Sequence, residues 1–290
     1  MKSANFRVLS ISLVLAAAAI SSSARAKDAD APQIETERSV FDGDYVIVGV
    51  GAVIAPNYEG SKDNDIIPAG GIKARIHGIG INPRPFGVAI DLLPDQTDAK
   101  IAISFGPVVR YRTNRSGKIE DPVVALLGKL PRVVEGGFAT GVDLHRVLNG
   151  HDSLSMGTDV RWDISGHGGG MIVSPGLSYF TPLSRALVFG AQISADFVDD
   201  RYANYNYEVT PAGAAASGLP AYHAHGGLKD WGLAAFTARD LNGNFLDGGL
   251  AIAVGVAWTR LTGSAAETPI TAIRGKRNQL IAGLGLAYVF

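Results

Sequence analysis

The sequence predicts an all-β protein: a closed antiparallel up-and-down transmembrane β-barrel of about twelve strands, with short periplasmic turns and long extracellular loops. Three observations carry that expectation. Large apolar residues alternate with small or polar ones from residue 44 to the end, and side chains of a strand alternate faces with period two. Long and short connections alternate between these stretches. The chain opens with an export signal, yet no later apolar run reaches the roughly eighteen residues that a spanning helix needs.

The export signal is explicit. Lys2 and Arg7 precede an apolar run at 8–20, and Ala24-Arg25-Ala26 follows small polar residues. A basic start, an apolar centre and a small-x-small site make a secretory signal peptide, 1–26. The chain has no cysteine, which removes lipid acylation, disulfides, thiolate metal sites and thiol catalysis. It is 47% hydrophobic and 18% charged. An exported chain of that kind buries its apolar surface in a soluble core or shows it to lipid from a barrel. A net charge of -1 without a basic patch excludes nucleic acid as a partner. Residues 27–43 are polar, acidic and aperiodic, and read as a flexible periplasmic leader. The barrel domain is expected over 44–290.

The strands follow in order. The first, 45–54, sets Val46, Val48, Val50, Ala52 and Ile54 on one face. The second, 66–76, carries Lys73 and Arg75 opposite Ile72, Ala74 and Ile76. A short third lies at 78–82, and the fourth, 86–92, puts Val88 and Ile90 against Ala89 and Asp91. The fifth, 100–112, opposes Ile103, Phe105, Val109 and Tyr111 to Ser104, Arg110 and Arg112. The sixth, 134–148, opposes Phe138, Val142 and Leu144 to Glu135, Asp143 and His145. In the seventh, 153–165, Met156, Val160 and Trp162 oppose Ser155, Asp159, Arg161 and Asp163. The eighth, 171–181, is weaker because Pro175 interrupts it. The ninth, 186–198, alternates Leu187, Phe189, Ile193 and Phe197 with Gln192, Ser194 and Asp196. The tenth lies at 228–241, and the eleventh, 245–261, places Leu250, Ile252, Val254 and Val256 on one face. The twelfth, 277–290, carries Leu280, Leu284, Leu286, Tyr288 and Phe290 on its large apolar face. Leu286, Tyr288 and Phe290 match the assembly signal that the barrel-assembly machinery reads in outer-membrane proteins.

Four connections are long, at 55–65, 113–133, 199–227 and 262–276. Strands that run strictly up and down bring all four to one end, whereas a soluble sandwich gives no reason for the alternation. The charges fit the same registers. An Arg or Lys facing lipid at mid-membrane costs about 2–4 kcal/mol. Lys73, Arg75, Asp91, Arg110, Arg112, Glu135, Asp143, Asp159, Arg161, Asp163 and Asp196 all fall on the opposite face and are expected to line the lumen. Internal salt bridges filling the barrel are the favoured arrangement over a narrow polar channel. A barrel of about twelve strands lies between filled barrels and open porins, so size does not decide the matter.

Catalytic patterns are weak. His167-Gly168-Gly169-Gly170 resembles the oxyanion loop of lipases but lacks a Gly-x-Ser-x-Gly elbow. Asp143, His145 and Ser153 or Ser155 share a face, a chance coincidence among so many polar residues. His223 and His225 are two ligands without a third. No cofactor, metal or catalytic residue is expected.

The chain resembles the MipA/OmpV family of outer-membrane proteins. The likeness rests on Ala55-Pro56-Asn57-Tyr58-Glu59-Gly60, Gly106-Pro107-Val108-Val109-Arg110-Tyr111-Arg112, Asp159-Val160-Arg161-Trp162-Asp163 and Tyr179-Phe180-Thr181-Pro182-Leu183-Ser184. Ala216-Ser217-Gly218-Leu219-Pro220-Ala221-Tyr222 and the closing Gly283-Leu284-Gly285-Leu286-Ala287-Tyr288-Val289-Phe290 complete the set. At 205–209 the chain reads Tyr-Asn-Tyr-Glu-Val, where the family tends to Tyr-Phe-Gly-Val, and an extra hairpin arm is expected over 202–209. The resemblance implies a non-enzymatic role. Its partners would be outer-membrane lipid and, as in an adaptor of murein remodelling, a lytic transglycosylase and a bifunctional penicillin-binding protein. A narrow diffusion channel and an adhesin acting through the long loops are the alternatives. The location implied is the cell outer membrane of a Gram-negative bacterium.

Overall fold

The computed structural model describes residues 39–94 and 99–290. The expected signal peptide and most of the expected leader lie outside the described residues.

Twelve antiparallel strands close into one barrel in sequence order. They are β1 (Tyr45–Pro56), β2 (Asn64–Ile76), β3 (Ile79–Arg84), β4 (Gly87–Asp91), β5 (Ile101–Arg112) and β6 (Val133–His145). The second half holds β7 (Ser153–Asp163), β8 (Met171–Ser184), β9 (Leu187–Val198), β10 (Gly227–Asp240), β11 (Gly249–Leu261) and β12 (Asn278–Val289). Closure comes from β1 pairing with β12, from Ile47↔Val289 to Ile54↔Ala282. No free edge then runs the length of the sheet, as hydrocarbon requires.

The apolar face points outward all round. Val50, Met156 and Phe290 are 63%, 63% and 64% exposed, values that suit lipid contact and not a soluble core. Leu286, Tyr288 and Phe290 stand on this outer face of β12, with the last two rings 4.6 Å apart. The inner face is tight where its residues are small. A Cβ on Gly137 would lie 1.9 Å from the carbonyl oxygen of Val160 on the next strand.

Several boundaries differ from the sequence expectation. The last residues assigned to the leader are folded: Ser39 caps a 3-10 turn at Val40–Asp42, and Phe41 is buried with Tyr45, Ile47, Ala287 and Val289. The sixth strand stops at His145, because Asp152 accepts backbone hydrogen bonds from Val147 and Leu148 and folds the chain into a turn. The eleventh begins at Gly249, since Phe245–Asp247 forms a 3-10 turn. In place of a hairpin arm over 202–209, residues 200–207 form a helix whose start Asp199 caps at the nitrogen of Tyr202, and Val209 bridges to Tyr222.

Loops 57–63, 113–132, 199–226 and 262–277 meet at the rim away from the termini and fold together. They carry α1 (Pro122–Ala125), α2 (Asp200–Tyr207), α3 (Pro211–Ser217), α4 (Gly263–Glu267) and α5 (Pro269–Ala272). Asp121, Asp199 and Thr210 cap the first three with their side chains, as short oxygen-bearing residues do at helix starts. Pro122, Pro211 and Pro269 occupy first-turn positions, where the missing N–H is not needed. Tyr58, Ile119, Val124, Val209, Leu219 and Ile270 form one core drawn from all four loops. The result is a folded outer cap.

Candidate functional site: a capped, charge-lined lumen

One large cavity, about 1390 Å³, occupies the lumen. Its wall runs from Tyr45, Ala99, His145 and Ser153 near the periplasmic rim to Glu59, Tyr202 and Lys229 beneath the cap. Lys73, Arg75, Asp91, Arg110, Arg112, Glu135, Asp143, Asp159, Arg161 and Asp196 all line it. Asp163 does not. Its carboxylate accepts from the backbone nitrogens of Ser165 at 2.7 Å and Gly169 at 2.8 Å, and so builds the 164–170 turn.

Two ion clusters stand in the outer part of the lumen. Arg161, with 0% of its side chain exposed, donates from Nε to Glu135 at 3.1 Å and from Nη1 to Asp159 at 3.2 Å. Its Nη2 donates to Ser174 Oγ at 3.1 Å. Asp159 also receives Arg84 Nε at 2.9 Å, and Glu135 faces Arg112 Nε at 3.1 Å. The Arg112 guanidinium lies 4.1 Å from the centre of the Tyr202 ring, a cation–π contact that ties the barrel wall to α2.

The second cluster surrounds Lys229. Its Nζ lies 3.2 Å from Glu59, 3.0 Å from Asp196 and 2.9 Å from Asp230. Ser174 bridges the clusters by donating to Asp196 at 2.6 Å, and Tyr207 donates its hydroxyl to Glu59. Lys229 and Asp230 are consecutive, so a regular strand would send them to opposite faces. The β9–β10 register shifts between Leu228 and Asp230, and that bulge turns both side chains inward.

Charge and burial set the titration of the cap. Burial opposes the Glu59 carboxylate, but Lys229 and the Tyr207 hydroxyl outweigh it and hold its pKa below the ordinary 4.5. Burial likewise opposes Asp121, and Arg274 with the backbone nitrogens of α1 outweighs it, again lowering the pKa. Burial first, and then Asp121, push the Tyr58 phenol up to about 12. Groups with depressed folded pKa values stabilise fully above their unfolded values and lose that contribution as pH falls through the folded ones. The cap is therefore expected to loosen below about pH 4 while the barrel persists. Limited proteolysis of the folded protein at pH 5 and pH 3 with one acid-active protease, scaled at each pH to its cleavage of an unfolded substrate, checks this: cleavage in 113–132 and 199–226 rises at pH 3.

The sequence profile of one family, described as MltA-interacting protein MipA, matches residues 48–290. The chain belongs to the MipA family.

Other comparisons add little. No curated protein matches the sequence. Among solved structures, the toluene transporter TodX of Pseudomonas putida is 11% identical, covering 86% of this chain and 90% of its own, with a TM-score of 0.38. The translocator domain of the autotransporter NalP from Neisseria meningitidis is 12% identical, covering 85% and 88%, with a TM-score of 0.35. Superposition at that level bears on neither activity nor substrate. A closed sheet with an apolar exterior and a MipA-family sequence is an outer-membrane barrel, and its place is the outer membrane of a Gram-negative bacterium.

In this MipA-family barrel the triad-like residues do not form a relay. Asp143 stands opposite Ser155 and His145 opposite Ser153. The Ser155 hydroxyl donates directly to the Asp143 carboxylate, where acyl transfer would need an imidazole as base. His167 Nδ1 lies 3.0 Å from Ser165 Oγ within the 164–170 turn. His223 and His225 stack edge to face at 5.0 Å, and among the described residues no three His, Asp or Glu converge on a metal-sized site.

Proposed function

We propose that this barrel is a non-catalytic adaptor that holds a lytic transglycosylase and a bifunctional penicillin-binding synthase at the periplasmic face of the outer membrane. The observation that carries the proposal is the folded cap over the outer end, whose core is drawn from all four long loops. With the long loops folded into that cap, the short turns, together with residues 27–38, are read as the part that murein enzymes meet. The family's description as an MltA-interacting protein supports a murein enzyme as partner. Outer-membrane lipid is the surrounding partner, and Leu286, Tyr288 and Phe290 are the residues offered to the barrel-assembly machinery.

The test is affinity capture from envelope extracts with the full chain and with a chain lacking 27–38. The full chain is expected to retain a transglycosylase or a synthase, and the shortened one to retain at least fivefold less. Recovery of neither enzyme by the full chain sinks the adaptor role.

A second reading, the narrow diffusion channel, rests on the size and charged wall of the same cavity. Planar-bilayer recording separates the two. The folded protein is expected to be silent, and discrete conductance steps would favour the channel.

A further inference from the structure

The lipid face changes character where β10, β11 and β12 reach the outer rim. Along β11 the outward side chains are Leu250, Ile252, Val254, Val256 and Trp258, and the next is Arg260. Leu250 to Trp258 is a climb of about 26 Å along the strand at roughly 3.3 Å per residue. Tilted by about 40°, that covers most of an apolar band about 25 Å tall. Trp258 therefore ends the band, and Arg260 stands at its outer boundary.

Strand pairing gathers a patch at that height. Trp231 of β10 lies opposite Arg260, and Leu233 opposite Trp258. On the other side, Asn278 of β12 lies opposite Arg260 and Leu280 opposite Trp258. The Trp231 and Trp258 rings meet edge to face, their centres 5.0 Å apart. Arg260 Nη1 donates to Asn278 Oδ1 at 3.4 Å. Trp231, Trp258, Arg260 and Asn278 are all absent from the lumen wall, and Arg260 and Asn278 are exposed.

The charge around Arg260 is not balanced. A guanidinium has five N–H donors, and Arg260 spends one on an amide oxygen. Among the described residues no carboxylate forms an ion pair with it. The segment from Arg260 to Asn278 also holds Arg274, Lys276 and Arg277, with Glu267 as its one acid. Arg274 is taken by Asp121 at 2.9 Å. Leu261 donates its nitrogen to the carbonyl of Arg277 at 2.9 Å, which sets Arg277 beside the end of β11. The acids on the elements packed nearby are spent. Asp230 faces Lys229 in the lumen, and Asp199 and Asp200 accept from the backbone nitrogens of Tyr202 and Gly226. Arg260, Lys276 and Arg277 against Glu267 leave the rim positive. Two other arginines near the boundaries lack this setting. Arg132 lies over Tyr111 and donates to its hydroxyl. Arg239, at the periplasmic end of β10, stands between Leu187 and Ile252.

We propose that the outer rim of β10–β12 is a binding site for lipid A, the phosphorylated glucosamine lipid of the outer leaflet. Arg260 forks onto a phosphate, as guanidinium does with tetrahedral oxyanions, and the Asn278 amide nitrogen donates beside it. A sugar ring lies against the Trp231–Trp258 pair, and acyl chains run down over Leu280, Val254 and Leu284, which are 53%, 51% and 55% exposed. The occupant follows from charge and height, because the loop-bearing rim of an outer-membrane barrel sits among the phosphates of that leaflet. The site rests on the outer-membrane placement and not on the adaptor role.

Native mass spectrometry of the folded full chain, titrated in detergent with purified diphosphoryl lipid A, tests this. Lipid A is expected to be retained, and its dephosphorylated form to be retained about tenfold less. Arg260→Gln should lower retention of diphosphoryl lipid A about tenfold, the size of one charge-assisted hydrogen bond, while Arg239→Gln leaves it unchanged. Retention by Arg260→Gln equal to that of the unaltered protein, an equal loss in Arg239→Gln, or indifference to the phosphates would each overturn the proposal. Should Arg260→Gln lack the heat-dependent gel shift of a folded barrel, hydrogen exchange of the unaltered protein decides. Protection of 260–264 and 274–278 by diphosphoryl but not dephosphorylated lipid A is expected, and its absence sinks the site.

Discussion

Replacing Lys229 by alanine is expected to unseat the outer cap. Among the described residues, Lys229 is the one cation within 3.2 Å of Glu59, Asp196 and Asp230, and its side chain is 5% exposed. Its removal leaves three carboxylates facing one another without the cation they share. Breaking a buried ion pair by deleting one partner costs about 3–5 kcal/mol. Glu59 belongs to the 57–63 loop, so the strain falls first on the cap and only then on the strands. The expected signs are a lower urea midpoint, faster proteolysis within 199–226 and the appearance of conductance in planar bilayers. An unchanged midpoint together with an intact cap would remove Lys229 from the role assigned to it. Arg161→Leu is a useful contrast. Glu135 keeps Arg112 at 3.1 Å and Asp159 keeps Arg84 at 2.9 Å, so this change should cost less despite the complete burial of Arg161. Neutralising the neighbours with Lys229→Met, Asp196→Asn and Asp230→Asn should recover much of the loss, because the penalty is uncompensated charge.

A second large effect is expected from a pair of adjacent substitutions. Ile193 is 46% exposed on the lipid face of β9, opposite Leu177 and Leu233. Gln192, its neighbour, lines the lumen. Ile193→Arg should cost about 2–4 kcal/mol and lower the yield of assembled barrel, since arginine near the middle of the hydrocarbon is expensive. Gln192→Arg should fold almost as well as the unaltered protein, its guanidinium projecting into the cavity. Folding titrations in lipid vesicles give both values. A larger penalty for Gln192→Arg than for Ile193→Arg would mean that inside and outside have been assigned the wrong way round.

Much of the fold was legible because alternation is a strong signal wherever one face meets lipid. The twelve strands and the four long loops lie where period two and turn chemistry put them, within a few residues. The ion clusters were only half legible. Arg112, Glu135, Asp159, Arg161 and Asp196 sit on regular strands, so parity places them inside. Lys229 and Asp230 escape parity because a bulge separates them, and nothing in a single sequence marks that bulge. Glu59, Tyr202 and Tyr207 belong to loops, where no period applies. The cap did leave a trace. Asp121-Pro122, Thr210-Pro211 and Thr268-Pro269 each put a capping residue type before a first-turn proline, a helix-start signature inside stretches read as plain loop.

The pairing of Ile47 with Val289 brings together segments made at opposite times during synthesis. The cylinder cannot be finished until β12 has been made, so no portion lacking it can insert with both edges satisfied. The whole chain must then travel through the periplasm with its edges unpaired, a state prone to self-association that holdase chaperones would have to cover. The lid, whose pieces come from four distant places in the sequence, can assemble only after them all.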